Sequence, residues 1–245
     1  MTITVAIAGA SGYAGAELAR LLHSHPDFVV QTLAAGSQAG ASVIEVHPQL
    51  AAFNDWVFAD TSVEILNQHD LVFLALPHGQ SAALATQLHP DVKIVDLGAD
   101  FRLESSQAWD TYYGSTPHAG SWAYGLSEVL GTESLHGATR IANPGCYATA
   151  IALGAASAIN SQLIDSSDVV VVAASGTSGA GRSASVSLLG AEVMGSVSSY
   201  KTGGVHQHTP EIEQTLQTLT HNEVKISFTP LLAPMSRGIH ATITA

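Results

Sequence analysis

The chain has 245 residues, room for one large domain or two modest ones, and 46% hydrophobic against 11% charged residues describes a compact protein, not a disordered one. A net charge of −12 argues against nucleic acid or an acidic membrane as partner, and the single cysteine excludes an internal disulfide framework and fits a reducing compartment. No basic leader or cleavage site is visible, and the apolar runs are broken by Gly, Ser and charges short of bilayer-spanning length, so a cytoplasmic enzyme is expected.

Residues 2–8 form a β-branched apolar run, and Gly9-Ala10-Ser11-Gly12-Tyr13-Ala14-Gly15 follows at once, leading into a stretch of helical character. Strand, glycine turn and helix in that order make G-x-x-G-x-x-G a dinucleotide-binding pattern. Its glycines let backbone approach a pyrophosphate that the helix N-terminus stabilises. The bland alternative is a tight βα turn with no ligand. A second strand, residues 29–34, ends in Ala35-Gly36-Ser37-Gln38, with no acidic side chain to hold a ribose 2′-hydroxyl. That leaves room for a 2′-phosphate and points to NADP(H). Residues 70–76 read as a buried parallel strand closed by Pro77-His78-Gly79, where His78 caps the next helix or touches cofactor. Residues 92–97 are another, running into Gly98-Ala99-Asp100-Phe101-Arg102. Strands alternating with helical stretches predict a doubly wound α/β domain over residues 1–145. Within it, residues 109–125 read as an aromatic, Gly-rich connection.

Asn143-Pro144-Gly145 delivers Cys146 to an Ala-rich run, residues 147–159, that reads as a buried helix. A sulfur at a helix N-terminus meets unpaired N–H groups and the positive end of the dipole, which favour the nucleophilic thiolate. A buried structural cysteine is the alternative. Residues 168–174 form a strand that opens into Ser175-Gly176-Thr177-Ser178-Gly179-Ala180-Gly181-Arg182, a loop suited either to cradling phosphate or to linking. Further on, His206-Gln207-His208 precedes a helix predicted to take Thr209 as N-cap and Pro210 as first residue, with Ile212, Leu216 and Leu219 at helical spacing. A helix N-terminus disfavours imidazolium and keeps a neutral base. A zinc site built on His-x-His with the nearby Glu211 and a purely structural pair are the rivals. Arg102, Arg182, Lys201 and Arg237 all stand in or beside loops, and their convergence would make one positive site for a small anionic substrate. Residues 238–245 alternate like a strand and stop without a turn or cap.

Together these stretches resemble the N-acetyl-γ-glutamyl-phosphate reductases, relatives of the aspartate-semialdehyde dehydrogenases. The resemblance implies a Rossmann domain, residues 1–145, and an α+β catalytic and oligomerisation domain with a mixed or mostly antiparallel sheet, residues 146–245. It also implies a chain incomplete at its C-terminus, since family members run on. The activity implied is NADPH-dependent reduction of N-acetyl-γ-glutamyl phosphate to N-acetylglutamate 5-semialdehyde through a Cys146 thioester, in arginine biosynthesis. His206 then manages protons, with His208 as runner-up or substrate contact. Cofactor contacts are expected from Gly9, Ser11, Gly12, Tyr13, Ala14, Gly15, Ser37, Pro77, Ser178 and Gly179. Substrate contacts are expected from Arg102, which matches the acyl-phosphate arginine of the related dehydrogenases, and from Asn143, Ser175, Arg182, Tyr200, His208 and Arg237. No metal is implied, and a homo-oligomer is. The alternatives are another acyl-phosphate reductase, such as an aspartate-semialdehyde dehydrogenase, or, from a different class, a non-catalytic NADP-binding module.

Overall fold

The computed structural model describes residues 2–114 and 116–245, and these form two compact units. The first comprises residues 2–101, 121–124 and 135–143, and the second residues 102–114, 116–120, 125–134 and 144–245. The chain therefore does not divide at a single cut: two stretches before residue 144 belong with the second unit.

The first unit is built on seven strands: β1 (Ile3–Ala8), β2 (Phe28–Ala35), β3 (Ala59–Asp60), β4 (Leu71–Leu74), β5 (Lys93–Asp96), β6 (Ala123–Tyr124) and β7 (Arg140–Ala142). They lie in the order β3-β2-β1-β4-β5-β7-β6, and every pairing is parallel. Alternation along β1 shows why both faces are covered: Val5 and Ile7 join Leu33, Phe53 and Phe58 on one side, while Ala6 and Ala8 join Val72, Leu74 and Ile94 on the other. The strand order reverses between β1 and β4, which places a ligand crevice at the C-terminal ends of those two strands. Phe101 stacks on Trp122 with ring centroids 3.6 Å apart, tying the short return through β6 to the end of the β5 loop.

The second unit carries β8 (Val169–Ser175), β9 (Ser198–Ser199), β10 (Ile226–Leu232) and β11 (Ile239–Thr244) in the order β11-β8-β10-β9. Only β8 and β10 are parallel, so the sheet is mixed. The helix Cys146–Asn160 packs on one face, where the Cβ that Gly154 lacks would stand 2.8 Å from Ile243 Cδ1. Val170 and Val172 of β8 point the other way and are exposed, as are Thr242 and Thr244 opposite them on β11. The connection expected over residues 109–125 begins inside a short helix, takes in β6 and is otherwise irregular among its described residues. The helix Ser106–Tyr112 buries Trp109, whose Nε1–H donates to Thr116 O at 2.6 Å and whose ring stacks on Tyr113. Among the described residues, no helix is long and apolar enough to cross a membrane.

Candidate active site

The glycine loop follows β1 directly. Gly9 takes φ +84°, and a Cβ there would lie 2.2 Å from Ala75 O, so only glycine lets the ends of β1 and β4 meet. At Gly15 a Cβ would stand 2.5 Å from Gly9 O, which keeps the helix Tyr13–His23 close beneath the strand. Gly12 caps that helix without a side-chain bond, and its first turn contains no acidic residue. Among the described residues, the N–H groups of Ser11, Tyr13, Ala14 and Gly15 have no protein acceptor. Four converging donors at a helix N-terminus fit a pyrophosphate. Ser37 is exposed in the loop after β2, beside Gly36, whose missing Cβ would face open space; there is room for a 2′-phosphate. Pro77 follows β4 across the crevice, and Gly79 and Ala82 donate their N–H groups to Asp100 at 2.7 and 2.9 Å, fixing the turn there.

Cys146 is the first residue of its helix and is exposed. Gly145, the N-cap before it, is surrounded: a Cβ there would lie 2.6 Å from His208 Nε2, 2.8 Å from Arg102 Nη1 and 2.9 Å from Glu211 Oε2. Its N–H donates to Glu211 Oε1 at 2.7 Å, and Glu211 Oε2 stands 3.5 Å from Arg102 Nη1. Arg102 and Glu211 are both buried. Arg102 is therefore the cation beside the nucleophile, while Arg182 and Arg237 are exposed.

His206 is buried, with Tyr147, Tyr200, His208 and Phe228 edge-on around it at centroid distances of 5.1–5.7 Å. Burial, then His208 and Lys201, push its pKa down to about 4, with Glu211 pulling the other way. The imidazole is neutral, as the sequence suggests, but through burial. The helix His208–Gln217 starts earlier than predicted, because Gln207 already has helical torsions (φ −59°, ψ −24°) and Thr209 N–H bonds back to His206 O. The N–H of His208 donates to His206 Nδ1 at 3.1 Å. With Nδ1 accepting, the hydrogen of the neutral ring sits on Nε2. Among the described residues, no hydrogen bond joins Cys146 Sγ to His206.

Desolvation raises the Cys146 thiol above its ordinary value. The N–H of Tyr147, the Arg102 charge and its own N–H act downward, and Glu211 acts upward. The helix start thus works in the expected direction, but the net direction at the sulfur is upward, toward the thiol.

The loop after β8 ties down several of its own N–H groups. The N–H groups of Gly176, Thr177 and Ser178 donate to the carbonyls of Gly238, Met235 and Ser236, and those of Gly179 and Gly181 bond within the loop. Those donors are occupied. Tyr200 Oη lies 3.0 Å from Tyr147 Oη, and Ser175 Oγ donates to Leu231 O at 3.4 Å. These hydroxyls brace the residue after Cys146. Asn143 is half-buried and donates its N–H to Asp96 O at 2.8 Å, continuing the β5 edge into the turn. The sequence reading weighed Glu211 only as a rival zinc ligand and missed its place beside Gly145; its spacing of three from His208 puts both on one helix face. Among the described residues, no three His, Cys, Asp or Glu side chains gather as a metal site.

Comparison with known proteins gives the same frame. The semialdehyde dehydrogenase NAD-binding domain family matches residues 4–137, and the semialdehyde dehydrogenase dimerisation domain family matches residues 146–245. The aspartate semialdehyde dehydrogenase II of Vibrio cholerae superposes with a TM-score of 0.69 at 14% identity, over 99% of this chain and 74% of that one. The aspartate semialdehyde dehydrogenase of Candida albicans, solved with NADP, gives 0.64 at 16% identity, over 100% and 71%. Those likenesses carry the fold. In sequence, the N-acetyl-gamma-glutamyl-phosphate reductase of Salinispora arenicola is 56% identical over all of this chain and 72% of its own length. That of Pseudarthrobacter chlorophenolicus is 54% identical over all of this chain and 71% of its own. With identity of this order along its whole length, the chain belongs to the N-acetyl-γ-glutamyl-phosphate reductase family.

Proposed function

We propose that this chain reduces N-acetyl-γ-glutamyl phosphate to N-acetylglutamate 5-semialdehyde, releasing phosphate, in arginine biosynthesis. The observation that carries the reading is the arrangement at Gly145: a cysteine on a helix start with one buried arginine and one histidine nitrogen against its turn. Cys146 Sγ loses its proton and bonds to the acyl carbon, and the C–O bond to phosphate breaks with its electron pair leaving on phosphate, so a thioester remains. Arg102 holds the anionic phosphoryl oxygens through attack and departure. The N–H groups of Ser11, Tyr13, Ala14 and Gly15 hold the pyrophosphate of NADP(H), Gly12 lets it approach the backbone, and Ser37 stands beside its 2′-phosphate. When bound, NADPH supplies the hydride that reduces the thioester carbonyl. The tetrahedral oxyanion so formed re-forms its C=O bond, the C–S bond breaks with its electron pair leaving on sulfur, and the thiolate regains a proton as aldehyde leaves.

His208 handles these protons in place of His206. Its Nε2 lies against Gly145, whereas Nδ1 of His206 already accepts a bond and its Nε2 carries hydrogen. That bond comes from the main-chain N–H of His208 and fixes the backbone at the start of its helix. A homo-oligomer is supported by the match of residues 146–245 to a dimerisation domain and by the exposed valines on the outer sheet face. Absence of a spanning helix among the described residues accords with a cytoplasmic location.

The test is the reverse reaction with NADP+ and phosphate, comparing N-acetylglutamate semialdehyde with aspartate semialdehyde. Preference for the N-acetylated aldehyde, abolished in Cys146→Ser with NADPH binding intact, is expected. Turnover surviving in Cys146→Ser, or preference for the aspartyl aldehyde, refutes the reading.

A further inference from the structure

Glu211 is 1% exposed and takes no part in the chemistry just described. A buried carboxylate is unfavourable unless it is paired and hydrogen-bonded, so its partners define its role. Oε1 accepts the N–H of Gly145 at 2.7 Å, from the residue that caps the helix bearing Cys146. Oε2 stands 3.5 Å from Nη1 of Arg102, from a segment 109 residues away in the chain. Its own carbonyl accepts Thr215 Oγ1–H at 2.8 Å, which steadies the first turn of the helix that also carries His208. Resting on the reading of Cys146 as nucleophile and Arg102 as the anion contact, we propose that Glu211 is the positioning residue of this site. One carboxylate oxygen fixes the nucleophile's turn and the other fixes the anion-binding guanidinium.

A glutamine at this position cannot serve both partners. Gly145 N–H and Arg102 Nη1 are both donors, and an amide offers one oxygen and one NH2, so one contact must break whichever way it is turned. The charged groups facing Cys146 are Arg102 and Glu211, together with the N–H groups of Cys146 and Tyr147. Glu211 opposes ionisation of the thiol and Arg102 favours it.

The experiment measures the pH profile of Cys146 alkylation by iodoacetamide, with kcat and KM, in Glu211→Gln and Glu211→Asp, folding being checked by circular dichroism. In Glu211→Gln the alkylation profile is expected to move to lower pH while kcat/KM falls on the order of 10²-fold, the loss that displacement by about 1 Å produces. A more easily ionised nucleophile that turns over more slowly marks positioning; a purely structural role would move only the melting temperature. Glu211→Asp keeps the charge but is shorter, and is expected to hold the wild-type profile and lose turnover. A folded Glu211→Gln with wild-type profile and kcat/KM overturns the proposal. If Gln does not fold, wild-type turnover in Glu211→Asp does so. Cys146→Ser separates the two claims: activity there sinks the reaction assigned above, whereas a dead Cys146→Ser beside a normal Glu211→Gln sinks only the role of Glu211.

Discussion

Replacing Gly145 by alanine tests the site at its most crowded point. The backbone there has φ −67° and ψ 153°, open to any residue, so the whole effect is steric. The new methyl would meet His208 Nε2 at 2.6 Å, Arg102 Nη1 at 2.8 Å and Glu211 Oε2 at 2.9 Å. Relaxing these to a normal separation of roughly 3.5 Å moves each group by roughly 0.6–0.9 Å, all at once. As overpacking this costs about 1–3 kcal/mol of stability, at about 2–4 °C of Tm per kcal/mol for a chain of this size. The same displacement at the reacting groups costs on the order of 10²-fold in rate, equivalent to about 2.7 kcal/mol of barrier. Steady-state kcat/KM should therefore fall far more than the folded fraction at the assay temperature. Gly190→Ala is the control, since a Cβ there meets only Met194 Sδ, at 3.6 Å. A Gly145→Ala enzyme with wild-type kcat/KM, or one whose loss follows its unfolded fraction, would refute the reasoning.

Three further outcomes are expected. Gly9→Ala forces a side chain to φ +84° and 2.2 Å from a backbone carbonyl, so thermal melts should show destabilisation and NADPH titration a weakened site; wild-type values for both contradict the account of the loop. Ser37→Asp should shift the ratio of kcat/KM toward NADH by roughly tenfold or more, through repulsion of the 2′-phosphate, and an unchanged ratio would place that phosphate elsewhere. His206, with a pKa of about 4 in the fold against 6.5 as its ordinary value, binds a proton in the unfolded chain before it does in the folded one. Stability is then lost as pH drops from about 6.5 to about 4, and denaturant melts of His206→Asn should show a smaller loss across that window.

The sequence carried the doubly wound sheet because parallel strands covered on both faces read as unbroken apolar runs, as at residues 70–76, and because the glycine turn needs glycine at fixed places. It also carried the cysteine, since Asn143-Pro144-Gly145 announces a turn into an Ala-rich helix. What it did not carry depends on distance in space. Glu211 reads as one acidic residue in the first turn of a helix, a common and favourable placement, and nothing local says that its carboxylate reaches Gly145, 66 residues back in the chain. The internal bonding of the Gly- and Ser-rich loop after β8 was hidden for a related reason. Gly and Ser promise free N–H groups, but the partner that occupies them, residues 235–238, lies more than 50 positions on.

At both titrating residues of the site, desolvation outweighs the helix start that the sequence makes obvious. Both Cys146 and His206 are pushed toward their neutral forms, the thiol upward and the imidazole down to about 4. Their affinities for the proton are thus driven apart in the sense that keeps it on sulfur, and a resting thiolate–imidazolium pair between these two residues is unfavourable. Arg102 is the compensating element. It favours the sulfur's charge, but in the resting protein its guanidinium faces Glu211. The resting nucleophile is held neutral in a fixed place, with cation, carboxylate and histidine disposed about Gly145. Reactivity then depends on how these groups are placed when substrate arrives, which is why the sharpest tests of this site change the position of a group and leave the sulfur itself untouched.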